Sequence, residues 1–222
     1  LGDEISLVDV CLIPQLFNAY RFELDMSPYP TLAKLYHYCL EHPAFFDARP
    51  NKSWWWKPFN EKGDIDLATY DALIAKQIEA GVDGIIVGGT TGEGHLLSWE
   101  EHLMLIAHSV HQYGDKLIIV GNTGSNNTRE AIKATENGFA MGMDAALQIN
   151  PYYGRTSKAG VVEHFKKVLS IGPAFIYNVP GRTGQDLTPD IIEPISTHEN
   201  FVGVKECAGN ERIAYYEEKG IA

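Results

Sequence analysis

The sequence predicts an α/β chain: a partial (β/α)8 barrel with about five strands, preceded by a short all-helical segment. Three observations lead there. Five apolar runs, at 84–89, 117–121, 145–150, 174–178 and 201–205, read as strands. Amphipathic stretches at 66–80, 99–112, 128–138, 158–169 and 188–197 alternate with them and read as helices. Strand starts recur about every thirty residues, the length of a βα unit, which implies a parallel sheet. No glycine fingerprint for a dinucleotide follows the first run, so a barrel leads over a dinucleotide-binding fold. A typical barrel needs about 250 residues. About 160 follow residue 60 here, so the barrel is incomplete, and an open doubly wound sheet remains compatible with the length.

Residues 1–50 follow a different pattern. Ser6-Leu7-Val8-Asp9 has the form of a capping box, with Ile5 and Val10 placed as a hydrophobic staple. A second helix is expected to start near Tyr29-Pro30-Thr31 and to carry Leu32, Leu35, Tyr36 and Leu40 on one face, with Pro43 ending it. The whole of residues 1–50, including the Ser-x-x-Asp box, resembles the last part of a zeta-class glutathione transferase. The glutathione-binding half of that family is missing, so no transferase activity is implied. Residues 51–60, with the run Trp54-Trp55-Trp56, look like a junction. They read either as an aromatic contact surface or as a non-native join. Domain boundaries are therefore set at 1–50, 51–60 and 61–222.

Composition excludes several classes. The net charge is −11 and no Lys/Arg cluster is visible, which argues against nucleic acid and anionic membranes as partners. No run of about 18 apolar residues is present, so no membrane-spanning helix is expected. Cys11, Cys39 and Cys207 lack metal-ligand spacing and fit free thiols in a reducing compartment. No signal or transit segment is visible.

The unusual residues follow the strands, where barrel active sites lie. Gly88-Gly89-Thr90-Thr91-Gly92-Glu93-Gly94 can bring amides and two hydroxyls to a small carboxylate; it also reads as a plain glycine turn. Asn150-Pro151-Tyr152-Tyr153-Gly154 offers phenols for proton relay or for packing. Tyr177 near a strand end and Arg182 in the loop beyond it can shuttle a proton and grip a carboxylate. Lys205 ends the last apolar run. Desolvated there, it would lose its proton and act as an amine nucleophile on a carbonyl; alone, it reads more readily as a snorkelling surface group, and the other three segments reverse that preference. Because all four segments follow strands of one sheet, their side chains are expected to converge.

The segments GGTTGEG, GNTGSNNTREAI, NPYYGRTS, YNVPGRTGQD and GVKECAGN, in this order over about residues 58–222, resemble the dihydrodipicolinate synthase family in its plant form. The resemblance implies a class I aldolase-type lyase that condenses pyruvate with L-aspartate-4-semialdehyde through a Schiff base, the first committed step of lysine biosynthesis by the diaminopimelate route. Lys205 would form the imine, and Tyr177, Thr90 and Tyr153 would relay protons, with Tyr153 supplied by a neighbouring subunit. Thr91 would hold the pyruvate carboxylate and Arg182 that of the aldehyde. No cofactor or metal is implied, because the imine is the electron sink. A feedback site for lysine maps to Trp99, Asn126, Glu130 and Tyr152, and more loosely to His95. A homo-oligomer, a tetramer in the family, and a chloroplast location follow from the resemblance; a cytoplasmic location is the alternative. The family's first strand and its strands after the lysine have no counterpart here, so this chain alone is expected to be poorly active, aggregation-prone, or both. Other readings are an N-acetylneuraminate lyase-like or other pyruvate aldolase, and a non-catalytic partner or gene-fusion fragment.

Overall fold

A computed structural model describes residues 25–41 and 64–221. The chain divides into two compact units, Leu1–Trp56 and Lys57–Ala222. The Ser6 capping box, the end at Pro43 and the tryptophan junction lie outside the described residues.

In the first unit, α1 (Pro30–Glu41) starts with proline, whose missing N–H costs nothing in a first turn. Tyr36 is buried on the predicted face, while Leu32 and Leu35 are half-buried.

The second unit alternates strands and helices. Its elements are α2 (Leu67–Glu79), β1 (Gly84–Val87), α3 (Trp99–Tyr113), β2 (Ile118–Asn122), α4 (Thr128–Ala140), β3 (Ala145–Ile149), α5 (Lys158–Leu169), β4 (Ala174–Asn178), a short α6 (Pro180–Thr183), α7 (Pro189–Ser196), β5 (Phe201–Glu206) and α8 (Asn210–Glu218). All five strands are parallel and lie in sequence order, β1-β2-β3-β4-β5. A doubly wound sheet reverses its strand order at a switch point, whereas barrel strands run in order. The observed order therefore settles the alternative that length left open: this is an α/β unit forming part of a barrel.

The helices start where side chains satisfy their first amides. Asp66 accepts from Thr69 N at 3.0 Å ahead of α2. Ser98 and Glu101 form a reciprocal capping box ahead of α3, at 3.3 and 2.8 Å. Asn127 and Ser157 cap α4 and α5. Each helix buries one stripe: His102, Leu105, Ile106 and Ser109 on α3, and Val161, His164, Phe165, Val168 and Leu169 on α5. A buried polar knot ties β2, β3 and α4 together. Gln148 Nε2 donates to Thr123 Oγ1 and Thr135 Oγ1, at 2.8 Å each.

His164 joins three elements. One ring nitrogen meets Thr128 Oγ1 at 2.9 Å and the other meets Ile149 O at 3.0 Å. Burial lowers the pKa of His164 and of His102 on α3. A folded-state pKa below the unfolded value means that the folded chain binds protons less readily. The stability contributed by keeping these rings neutral is present above the unfolded pKa of about 6.5 and is lost as pH falls below it. The urea midpoint should therefore drop between pH 7 and pH 5. A midpoint unchanged over that interval would show that neither imidazole is held neutral by the fold.

Candidate active site

The site is built on loops at the C-terminal ends of the strands. After β1, the chain turns through Gly88, whose φ is +67°. A Cβ there would lie 2.1 Å from His102 Nε2, and one on Gly94 would lie 1.8 Å from Gly88 O. At Gly94 backbone packs on backbone, and at Gly88 the left-handed backbone packs on the buried His102 ring, so glycine is required at both positions. Gly94 N donates to Gly89 O at 3.2 Å, and Asn122 Nδ2 at the end of β2 donates to Gly88 O at 2.7 Å. These bonds fold the loop back over the strand ends, which places Thr90 beside Tyr177.

Tyr177 is buried at 7% exposure. Burial raises its pKa, while a hydrogen bond with the Thr90 hydroxyl and the positive charge of Arg182 act in the opposite direction. Lys205 is paired with Tyr177 across β4 and β5. Its Nζ stands 4.4 Å from the centroid of the Tyr177 ring. Lys205 itself is exposed, not desolvated as the apolar run suggested. Among the described residues, β5 has a sheet neighbour on one side only, β4. The amine therefore meets an aromatic face and a phenol, not a dry pocket.

A cleft of about 440 Å³ opens beside this pair. It is lined by Thr90, Tyr177 and Arg182, and also by His95, Trp99, Asn126, Glu130 and Tyr152. Thr90, Tyr177 and Arg182, expected to serve chemistry, thus face the same cavity as the residues expected to hold lysine. Arg182 belongs to the short helix α6 and not, as expected from sequence, to an open loop, because Pro180 starts a helical turn directly after β4. Glu130, in the first turn of α4, accepts from Ser125 Oγ at 2.9 Å. Thr91 and Tyr153 do not line the cleft. Thr91 is exposed, and Tyr153 is 92% exposed with φ +72°. Convergence thus holds for Thr90, Tyr177 and Arg182 in the cleft; Lys205 lies outside its lining and joins them through the Tyr177 ring, and Thr91 and Tyr153 do not converge.

Among the lining residues that sequence did not single out, His102 and Asn122 shape the site. His102 is 4% exposed, its Nε2 has no hydrogen-bond partner, and its ring stacks on Trp99 at 5.5 Å. Asn122 orders the glycine loop as described above. The spacing of Trp99 and His102, three apart on a helix, puts both rings on one face and could have flagged the first. Among the described residues, no group of three His, Cys, Asp or Glu side chains is arranged to hold a metal ion.

The sequence model of the Dihydrodipicolinate synthetase family matches residues 53–220. A wheat (Triticum aestivum) protein, 4-hydroxy-tetrahydrodipicolinate synthase 2, chloroplastic, is 59% identical over 164 residues, covering 74% of this chain and 44% of the relative. The chain therefore spans less than half the length of this relative. Among solved structures, a chloride-inhibited dihydrodipicolinate synthase from Acinetobacter baumannii complexed with pyruvate superposes with TM-score 0.69 at 35% identity, covering 73% of this chain and 57% of that one. A dihydrodipicolinate synthase from Cyanidioschyzon merolae with lysine bound gives TM-score 0.65 at 35% identity, covering 70% and 54%. The family match starts at residue 53, and the resemblance of residues 1–50 to a glutathione transferase is not borne out.

Proposed function

The chain belongs to the dihydrodipicolinate synthetase family, and from that premise we propose that residues 61–222 carry the machinery of a pyruvate-dependent lyase acting on L-aspartate-4-semialdehyde, with residues 1–50 a separate segment. The observation that carries this reading is the Lys205–Tyr177–Thr90 arrangement, with Nζ 4.4 Å from the phenol ring of Tyr177. Lys205 Nζ adds to the keto carbon of pyruvate, and loss of water leaves a protonated imine. A methyl proton then leaves and the electron pair moves toward nitrogen, giving an enamine. The enamine carbon attacks the aldehyde carbon of the semialdehyde, whose oxygen takes a proton. The amino group of the semialdehyde then adds to the imine carbon, which closes the ring and expels the lysine amine. Tyr177 and Thr90 move the protons these steps require. Tyr153, too exposed to serve its own cleft, fits a role in the site of a second copy. Thr91 offers a hydroxyl and amide to the pyruvate carboxylate, and Arg182 a two-point grip on that of the semialdehyde.

The cleft also supports lysine as a feedback ligand. Glu130 would pair with its ammonium, Asn126 with its carboxylate, Trp99 would cover its aliphatic stem, and Tyr152 and His95 would close the rim. A homo-oligomer is part of this proposal. A chloroplast location is proposed from the wheat relative's name.

Borohydride added to the full chain with pyruvate tests the reading. The expected product is a reduced adduct on Lys205, and aspartate semialdehyde added before borohydride should deplete it. An adduct depleted by a different aldehyde, and not by this one, would move the assignment to another pyruvate aldolase. No adduct at Lys205 would remove the imine mechanism.

A further inference from the structure

The pairing of Lys205 with Tyr177 depends on an irregularity in β5. Ala174 pairs with Phe201, but the next residue, Phe175, pairs with Gly203, so Val202 is an extra residue in the ladder. An uninterrupted register would set Tyr177 opposite Val204 and Asn178 opposite Lys205. A one-residue slip moves a strand's side chains to the other face of the sheet. Lys205 would then leave the Tyr177 row. Bulges of this kind re-aim side chains beside active sites.

We propose that Asn178 and Glu206 are positioning residues that hold the bulged register and so keep Lys205 on Tyr177. This rests on the reading of Lys205 as the imine-forming amine. Directly beyond the Tyr177–Lys205 pair, Asn178 pairs with Glu206. Asn178 is fully buried. Its Nδ2 donates to Glu206 Oε1 at 2.8 Å and Oε2 at 3.1 Å, and to Asp186 Oδ1 at 2.8 Å. Its Oδ1 accepts from Leu187 N at 3.0 Å. Glu206 Oε1 also accepts from Ala208 N at 2.7 Å, and Cys207 N donates to Asn178 O at 2.9 Å. Arg212 anchors the far side, with Nη2 2.9 Å from Asp186 Oδ2 and Nη1 3.1 Å from Leu187 O. In the slipped register Glu206 is no longer opposite Asn178, so this set of bonds selects the bulged pairing.

The test uses the full chain and reads register and chemistry separately. Register is read by hydrogen exchange at the Cys207 amide, and chemistry by the rate of borohydride trapping with pyruvate. Glu206→Leu should speed exchange at Cys207 and slow trapping on the order of a hundredfold, the scale expected for a misplaced reacting group. Glu206→Gln keeps an acceptor for Asn178 and should restore most of both. Asn178→Asp, almost isosteric, sets a third carboxylate against Asp186 and Glu206. Its trapping rate relative to the parent should be low at neutral pH and recover as pH falls, because protonating one carboxyl restores a donor. Unchanged Cys207 exchange and unchanged trapping in Glu206→Leu would overturn the clamp. So would a flat Asn178→Asp to parent ratio across pH. A parent chain with a protected Cys207 amide that Glu206→Leu deprotects, but with no pyruvate adduct, would overturn the imine reading and uphold the clamp.

Discussion

Lys205→Arg should reduce the borohydride-trapped pyruvate adduct to background while leaving the thermal midpoint of the chain unchanged. Arginine keeps the positive charge and can still lie over the Tyr177 ring, which holds the lysine Nζ at 4.4 Å. It cannot give up its proton, because the guanidinium stays charged far above neutral pH. The substitution therefore separates the cation from the nucleophile. Lys205 is exposed, and substitutions at exposed positions without special features usually stay within about 0.5 kcal/mol. Loss of the adduct together with loss of the folded state would mean that Lys205 serves structure. A persistent adduct at another lysine would mean that the reacting amine has been misassigned.

The fold was legible where one physical rule acts alone. Ala145–Ile149 and Ala174–Asn178 are short apolar runs because a strand in the middle of a parallel sheet is covered on both faces. The helices were legible because each buries a single stripe, as Val161, His164, Phe165, Val168 and Leu169 do on α5. The site was less legible because it depends on relations between strands. Nothing in Phe201-Val202-Gly203-Val204-Lys205 says that Val202 is bulged, yet the bulge decides which face Lys205 takes. Its exposure could not be read either, since the apolar run looks the same in a central strand and at an edge. Thr90 came to Tyr177 because Gly88 and Gly94 let two backbone segments touch, a demand their spacing encodes only loosely. His102 was overlooked because a lone histidine on an apolar helix face looks like core, and most of its ring is indeed core.

Phe165→Ala should be the most damaging substitution away from the site. Phe165 is fully buried on α5, which packs against α4, α7 and β4. Removing a buried phenylalanine costs about 3–5 kcal/mol, from the lost transfer of the ring and the cavity left behind. Domains of this kind have about 5–15 kcal/mol in total. The urea midpoint should fall steeply, and at the lower end of that range the cooperative transition should vanish. Because β4 carries Tyr177 and Asn178, loosening its packing also loosens the strand against which β5 is registered. Pyruvate trapping in this variant should therefore decline in step with the folded fraction, read by circular dichroism on the same samples. Phe165→Leu, which refills most of the volume, should recover both together. Trapping that survived after the folded signal was gone would mean that Lys205 reacts as an ordinary exposed amine, independent of the sheet that presents it.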